Sequence, residues 1–178
     1  MPFPMQHICI AKKIIELNPN IIKNFPQYYL GNLAPDAIHF RDNFKINDKF
    51  ISHLCAGDEK WGEISNNEEW TDNVLKFLNG YNESENIDFI YGYCVHILAD
   101  MRNNVEFWTP FKLKIYHSTK IPDSNKGYDA EAIKMFHADL LNADIRLYNT
   151  AEFKDEVWGI LNRSNGVTLD SIIFILIE

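Results

Sequence analysis

The sequence predicts an all-α protein, and three observations carry that prediction. Apolar residues recur at the helical period in segment after segment, no apolar–polar alternation is long enough to need a sheet, and Pro, Gly and Asn fall where helices would start and stop. With 178 residues, 46% of them apolar and 24% charged, the chain has the size and composition of one globular domain spanning residues 1–178.

In the first segment His7, Ile10, Ala11, Ile14 and Ile15 fall on one helical stripe, so His7 is expected to be buried. Pro2 and Pro4 suit the first turn of this helix and Asn18-Pro19 its stop. A short second helix is expected over residues 21–25, ending near Pro26. Residues 28–33 then lead into Gly31-Asn32-Leu33-Ala34-Pro35-Asp36, a proline-bearing turn after which Asp36 opens a new element.

Trp70, Val74, Phe77 and Leu78 mark a helix over residues 66–78, with Asn67 as its N-cap and Gly80 as its stop; its role reads as structural. The strongest helical signal covers residues 86–103. There Phe89, Gly92, Tyr93, His96, Ala99, Asp100 and Asn103 share a face that is partly polar and unusually small, and Gly92 and Ala99 leave room for a close neighbour. Helices over residues 130–148 and 154–161 follow the longest loop, at 110–126, and a turn is expected at 162–166. The chain has no internal repeat, low-complexity tract or heptad seam.

The formal net charge is −8 and the longest basic cluster is Lys12-Lys13, which argues against a nucleic-acid partner. Bound divalent cations would invert the acidic field locally, so a phosphoester substrate is compatible with this balance. Cys9, Cys55 and Cys94 are odd in number and lack C-x-x-C spacing; they read as buried core thiols. The start, MPFPMQHICIAKKII, has neither a basic n-region nor a small-residue cleavage site, and residues 172–177 are too short an apolar run to span a bilayer. A cytoplasmic protein without a transmembrane segment is the expectation.

His96 and Asp100 stand four apart on the predicted 86–103 helix, so both side chains can reach one ion. By itself that spacing describes a hydrogen-bonded helix pair. The run from 93 to 100 is otherwise apolar, however, and an ionised Asp100 there is costly unless a cation compensates. His7 on its apolar stripe and His53 in Phe50-Ile51-Ser52-His53-Leu54 are imidazoles in similar settings, and Asp36 after Ala34-Pro35 is either an N-cap or a carboxylate ligand. Three histidines and two aspartates on separate apolar elements have the composition of a divalent-metal site, for which zinc fits best. Two ions sharing a carboxylate would activate water against phosphoesters. His39, three residues after Asp36, is a further candidate ligand; His117 reads as a surface histidine, and Trp61, Trp70, Trp108 and Trp158 as core or cleft-wall residues.

Four segments resemble, in order, the metal-binding segments of zinc-dependent phospholipases C over roughly the first 100 residues. They are Met5-Gln6-His7-Ile8-Cys9-Ile10-Ala11, Tyr29-Leu30-Gly31-Asn32-Leu33-Ala34-Pro35-Asp36, Ser52-His53-Leu54 and Gly92-Tyr93-Cys94-Val95-His96-Ile97-Leu98-Ala99-Asp100. The resemblance implies a single-domain helical bundle with one to three zinc ions at the base of a cleft. It implies His7, Asp36, His53, His96 and Asp100 as ligands, Asp36 also as general base, and a phospholipid or other small phosphoester as substrate. The family's N-terminal tryptophan amine has no counterpart in Met1-Pro2-Phe3-Pro4, and Asp100 is followed by Met101-Arg102-Asn103-Asn104 without the family's next histidine. The later H-x-x-x-E pair meets His137 with Leu141 four residues on, which leaves Asp139 or Asp144 as stand-ins. The expected function is metal-dependent phosphoester hydrolysis by metal-activated water, with a non-catalytic helical metal-binding or interaction domain as the alternative. Helical phosphohydrolases of the HD type are disfavoured, because the chain has no adjacent His-Asp dipeptide.

Overall fold

A computed structural model describes residues 3–57, 64–111, 130–150 and 154–162. Among these residues the regular structure is helical and no strand occurs: α1 (Pro4–Leu17), α2 (Phe25–Ala37), α3 (Ile46–Ser52), α4 (Asn67–Gly80), α5 (Ile87–Asn103), α6 (Ala130–Thr150) and α7 (Lys154–Asn162). A 3₁₀ turn, Ile38–Phe40, extends α2, and a π turn, Asn104–Trp108, extends α5. The all-α expectation holds. Trp61, His117, most of the 110–126 loop and the chain beyond residue 162 lie outside the described residues.

Pro4 opens α1 as expected, but the buried stripe is Met5, His7, Ile8 and Ala11, while Ile10 is exposed. The face turns this way because α2 packs on it, with the hydroxyl of Tyr28 donating to the carbonyl of Ala11 at 3.2 Å.

The second helix is the main correction. Residues 21–25 do not form one; Pro26 lies in the first turn of α2, where its missing N–H costs nothing, and the Asn24 side chain caps that turn by accepting from the Gln27 N–H. Pro35 removes one helical rung near the end of α2 without stopping the chain, which tightens into the 3₁₀ turn at Ile38. Asp36 therefore does not open a new element. It sits in the last turn of α2, one helical turn beyond Asn32.

α2 crosses α5 at backbone contact. A Cβ on Gly31 would lie 1.9 Å from the Phe89 carbonyl oxygen, and one on Gly92 2.0 Å from that of Tyr28. Gly92 was legible as a site of close approach, but its counterpart is Gly31, not the half-buried Ala99. Asp88 ties the same crossing: its buried carboxylate accepts from the N–H groups of Lys23 and Asn24 at 3.0 and 2.5 Å, just before the N-terminus of α2, where negative charge is favoured.

Two apolar clusters flank this pair. One gathers Trp70 and Val74 of α4 with Phe89, Ile90, Tyr93 and Ile97 of α5; the other gathers Met5, Ile8 and Ala11 of α1 with Tyr28 and Tyr29 of α2 and Val157 of α7. The N-cap of α4 is Asn66 rather than Asn67, because the Asn66 side chain accepts from Glu69 N–H at 3.0 Å; Gly80 is the last helical residue and Tyr81 the C-cap. All three cysteines are free thiols, and only Cys94 is fully buried; Cys9 and Cys55 are half-buried. No helix among the described residues is long and apolar enough to cross a membrane.

Candidate metal centre

Four elements bring the predicted residues together. α1 supplies His7, the last turn of α2 supplies Asp36, the C-cap of α3 supplies His53, and α5 supplies His96 and Asp100. The histidine and Asp100 side chains are 0–1% exposed, whereas that of Asp36 is 19% exposed and forms the rim.

His53 is aimed by a constrained turn. After α3, Leu54 takes the left-handed conformation (φ 51°), and the N–H groups of Leu54 and Cys55 return to the carbonyls of Ile51 and Phe50. A leucine in that conformation costs about 1 kcal/mol. Three consecutive carbonyls are held there: Ser52 by the Tyr93 hydroxyl, His53 by the Trp70 indole N–H at 2.9 Å, and Leu54 by the Asn73 amide at 3.2 Å. α4 is thus more than structural padding, because it fixes the direction of His53.

Backbone carbonyls also fix two imidazole tautomers. His96 Nδ1 donates to the Asn32 carbonyl at 2.7 Å, and His53 Nδ1 to the Lys49 carbonyl at 3.0 Å, with the Ser52 hydroxyl 2.9 Å from the same nitrogen and itself donating to that carbonyl. With the proton on Nδ1, Nε2 carries the lone pair, the arrangement metal-binding histidines commonly adopt.

The Nε2 atoms then converge on the two carboxylates. His53 Nε2 lies 3.3 Å from Asp36 Oδ1 and 3.4 Å from Asp100 Oδ2; His96 Nε2 lies 3.9 Å from Asp36 Oδ2 and from Asp100 Oδ2. His7 Nε2 lies 3.5 Å from Asp100 Oδ1, and the His7 and His96 rings stack with centroids 3.6 Å apart. Both Asp100 oxygens, both His7 nitrogens and His96 Nε2 are buried without a hydrogen-bond partner. Such groups are expensive to bury unless something compensates them.

The electrostatics agree. Burial alone would raise the Asp36 pKa, but the imidazoles of His39, His53 and His96 around it overcome this and hold the carboxyl far below its usual range. Asp100 is lowered too, burial again being outweighed, here by His7, His96 and His53. Burial, helped by His7 and opposed by Asp100 and Asp36, pushes His96 down to about 3. Ionised carboxylates beside a neutral imidazole are the protonation states a metal ion requires.

No family model, curated protein or solved structure matches this chain. The assignment rests on the donor atoms themselves. Two groups lie within 4.8 Å, His7–His96–Asp100 and Asp36–His53–His96, so the donors share His96. Zinc bonds of about 2.0–2.1 Å place tetrahedral donors about 3.3 Å apart. The His53 distances of 3.3 and 3.4 Å meet that value, and the His96 distances of 3.9 Å exceed it by about 0.6 Å. The residues fit a nitrogen–oxygen divalent-metal centre.

The remaining candidates fall elsewhere. His39 Nε2 is 3.6 Å from Asp36 Oδ1 but 3.2 Å from Lys49 Nζ. His137 stacks on Trp108 with ring centroids 5.6 Å apart, and Asp139 is exposed. Asp144 accepts from the Gln6 N–H at 2.9 Å, which caps the first turn of α1 and positions the neighbouring His7. Neither His137, Asp139 nor Asp144 joins the centre. Lys49, buried and 3.6 Å from Asp36 Oδ1, had not been singled out. Its signal was the four-residue spacing to His53, the C-cap of α3 one helical turn on.

Proposed function

We propose that this chain is a zinc-dependent phosphoester hydrolase of the phospholipase C-like kind, built around His7, Asp36, His53, His96 and Asp100. The observation that carries the reading is the convergence of three imidazoles and two carboxylates from four elements, with His96 and His53 held in the tautomer that presents Nε2. Ordered resemblance to the metal-binding segments of zinc-dependent phospholipases C supports the same reading.

When bound, zinc supplies a Lewis acid for a phosphoryl oxygen and lowers the pKa of its water. The residues do the rest. His53, His96, Asp100 and one oxygen of Asp36 would hold the ion, with His7 beside Asp100 at the most deeply buried edge. Asp36 stands at the rim with its carboxyl ionised, placed to accept a hydrogen bond from the attacking water and orient it toward phosphorus. The two apolar clusters flank the α2–α5 pair that carries Asp36, His96 and Asp100. The substrate class is a small phosphodiester or a phospholipid head group.

A second reading, a metal-binding domain without turnover, draws on one observation. His137 and Asp139 do not join the centre, and Asp144 is engaged at α1, so a third ligand cluster is missing among the described residues. Zinc content and hydrolysis of bis(p-nitrophenyl) phosphate, measured on the same preparation, separate the two. Zinc with turnover supports the hydrolase, and zinc without turnover on a broad ester panel supports the binding domain.

A further inference from the structure

We propose that the centre holds one tightly bound divalent ion and that Lys49 supplies its second positive charge, in the place a further ion would take on Asp36. This inference rests on the metal reading above and goes beyond it in fixing ion number and naming a positioning residue.

The donors set the count. Each imidazole Nε2 has one lone pair. An ion held by His53, His96, Asp100 Oδ2 and Asp36, whose Oδ1 lies 3.3 Å from His53 Nε2 and whose Oδ2 lies 3.9 Å from His96 Nε2, leaves His7 Nε2, Asp100 Oδ1 and the outer lone pair of Asp36 Oδ1 for any other. His7 and Asp100 Oδ1 give a second ion only two protein ligands on that side, too few for the closed, four-ligand site that holds zinc tightly.

On the other side, Asp36 Oδ1 and His39 Nε2 would be the natural ligands of a second ion. Lys49 takes both. Its Nζ lies 3.6 Å from Asp36 Oδ1 and 3.2 Å from His39 Nε2, to which it is the donor, since an amine has N–H groups and His39 Nε2 then offers the lone pair. A divalent ion bonded to Asp36 Oδ1 would stand within about 6 Å of that nitrogen, given zinc–oxygen bonds of about 2.0–2.2 Å. In a buried setting such like charges repel strongly.

Lys49 is bound into the centre at its other end as well. Its carbonyl accepts the His53 Nδ1 proton, so one residue orients a ligand with its backbone and occupies the rim carboxylate with its side chain. Lys49 is therefore a positioning residue, and His39 is removed from the ligand set by it.

Zinc titration of metal-stripped protein, followed by equilibrium dialysis and elemental analysis, tests this. Wild type should take up one tight equivalent, with any second at least about tenfold weaker. Lys49→Met should keep the first and tighten the second by about tenfold or more, because Asp36 Oδ1 and His39 Nε2 become available. Lys49→Arg, which keeps the charge, should stay at one. His39→Ala in the wild-type background should leave the count unchanged, while in Lys49→Met it should abolish the gain; this pair keeps the test decisive if one variant folds poorly. Two equally tight equivalents in wild type, or no tightening in Lys49→Met, overturn the one-ion assignment alone. No zinc bound by wild type overturns the metal reading and this inference with it.

Discussion

His96 Nδ1 lies 2.7 Å from the main-chain carbonyl of Asn32, so a single hydrogen bond across the α2–α5 crossing fixes the tautomer of the histidine that both candidate ligand groups share. Asn32 and Asp36 are one helical turn apart, as are His96 and Asp100. The same crossing that orients His96 therefore brings the two carboxylates to one nitrogen, His53 Nε2, at 3.3 and 3.4 Å. Site geometry is a consequence of how closely two helices approach.

Gly31→Ala and Gly92→Ala test that dependence. Each added methyl meets a main-chain carbonyl at 1.9 or 2.0 Å, so the helices must separate. We expect a loss of about 1–3 kcal/mol of stability in denaturant unfolding. Zinc affinity should fall as well. Wild-type stability and affinity in both variants would show that the crossing is looser than described.

Asp100→Asn should lower zinc affinity by more than about 100-fold, beyond the cost of losing an outer partner. Asp36→Asn should retain more metal and lose turnover by about 10²–10⁴-fold, the span for a removed general base. Zinc stoichiometry and phosphodiester hydrolysis on both variants check this. Full metal occupancy in Asp100→Asn would reduce His96–Asp100 to an ordinary helix pair.

Trp70→Phe removes the indole donor from the His53 carbonyl while keeping most of the apolar bulk. The expected cost is about 1–2 kcal/mol of stability, with zinc affinity reduced by about tenfold. A stability loss with affinity unchanged would show that the carbonyl brace does not aim His53.

The metal-free protein should lose stability as pH falls. Folded His96 is pushed down to about 3 by burial and His7, whereas an unfolded histidine takes up its proton near about 6.5, so acid favours the unfolded chain across that window. The lowered pKa values of Asp36 and Asp100 extend the loss in the same direction below the ordinary carboxylate range. Chemical unfolding between neutral pH and pH about 4 reads this directly. Stability rising on acidification would contradict the assigned protonation states.

Much of this was legible from local pattern. His96 and Asp100 declare themselves by spacing on an apolar helix, and His7 by an imidazole amid isoleucines. Asp36 was found as a residue but placed wrongly, because Pro26 and Pro35 read as breaks when one starts α2 and the other is absorbed near its end. Lys49 was missed because a lysine between Asp48 and Phe50 reads as an ordinary solvated charge; only the fold brings its ammonium to 3.6 Å from Asp36 Oδ1. The partnership of Gly31 with Gly92 was equally hidden, since which small residue meets which depends on the long-range pairing of α2 with α5.

The central claim is that these five residues form a zinc centre, and elemental analysis of protein purified without added metal tests it most directly. The account predicts about one zinc per chain, removable by chelator and restored on titration. A preparation that is folded, carries no divalent ion and binds none from added zinc would contradict it.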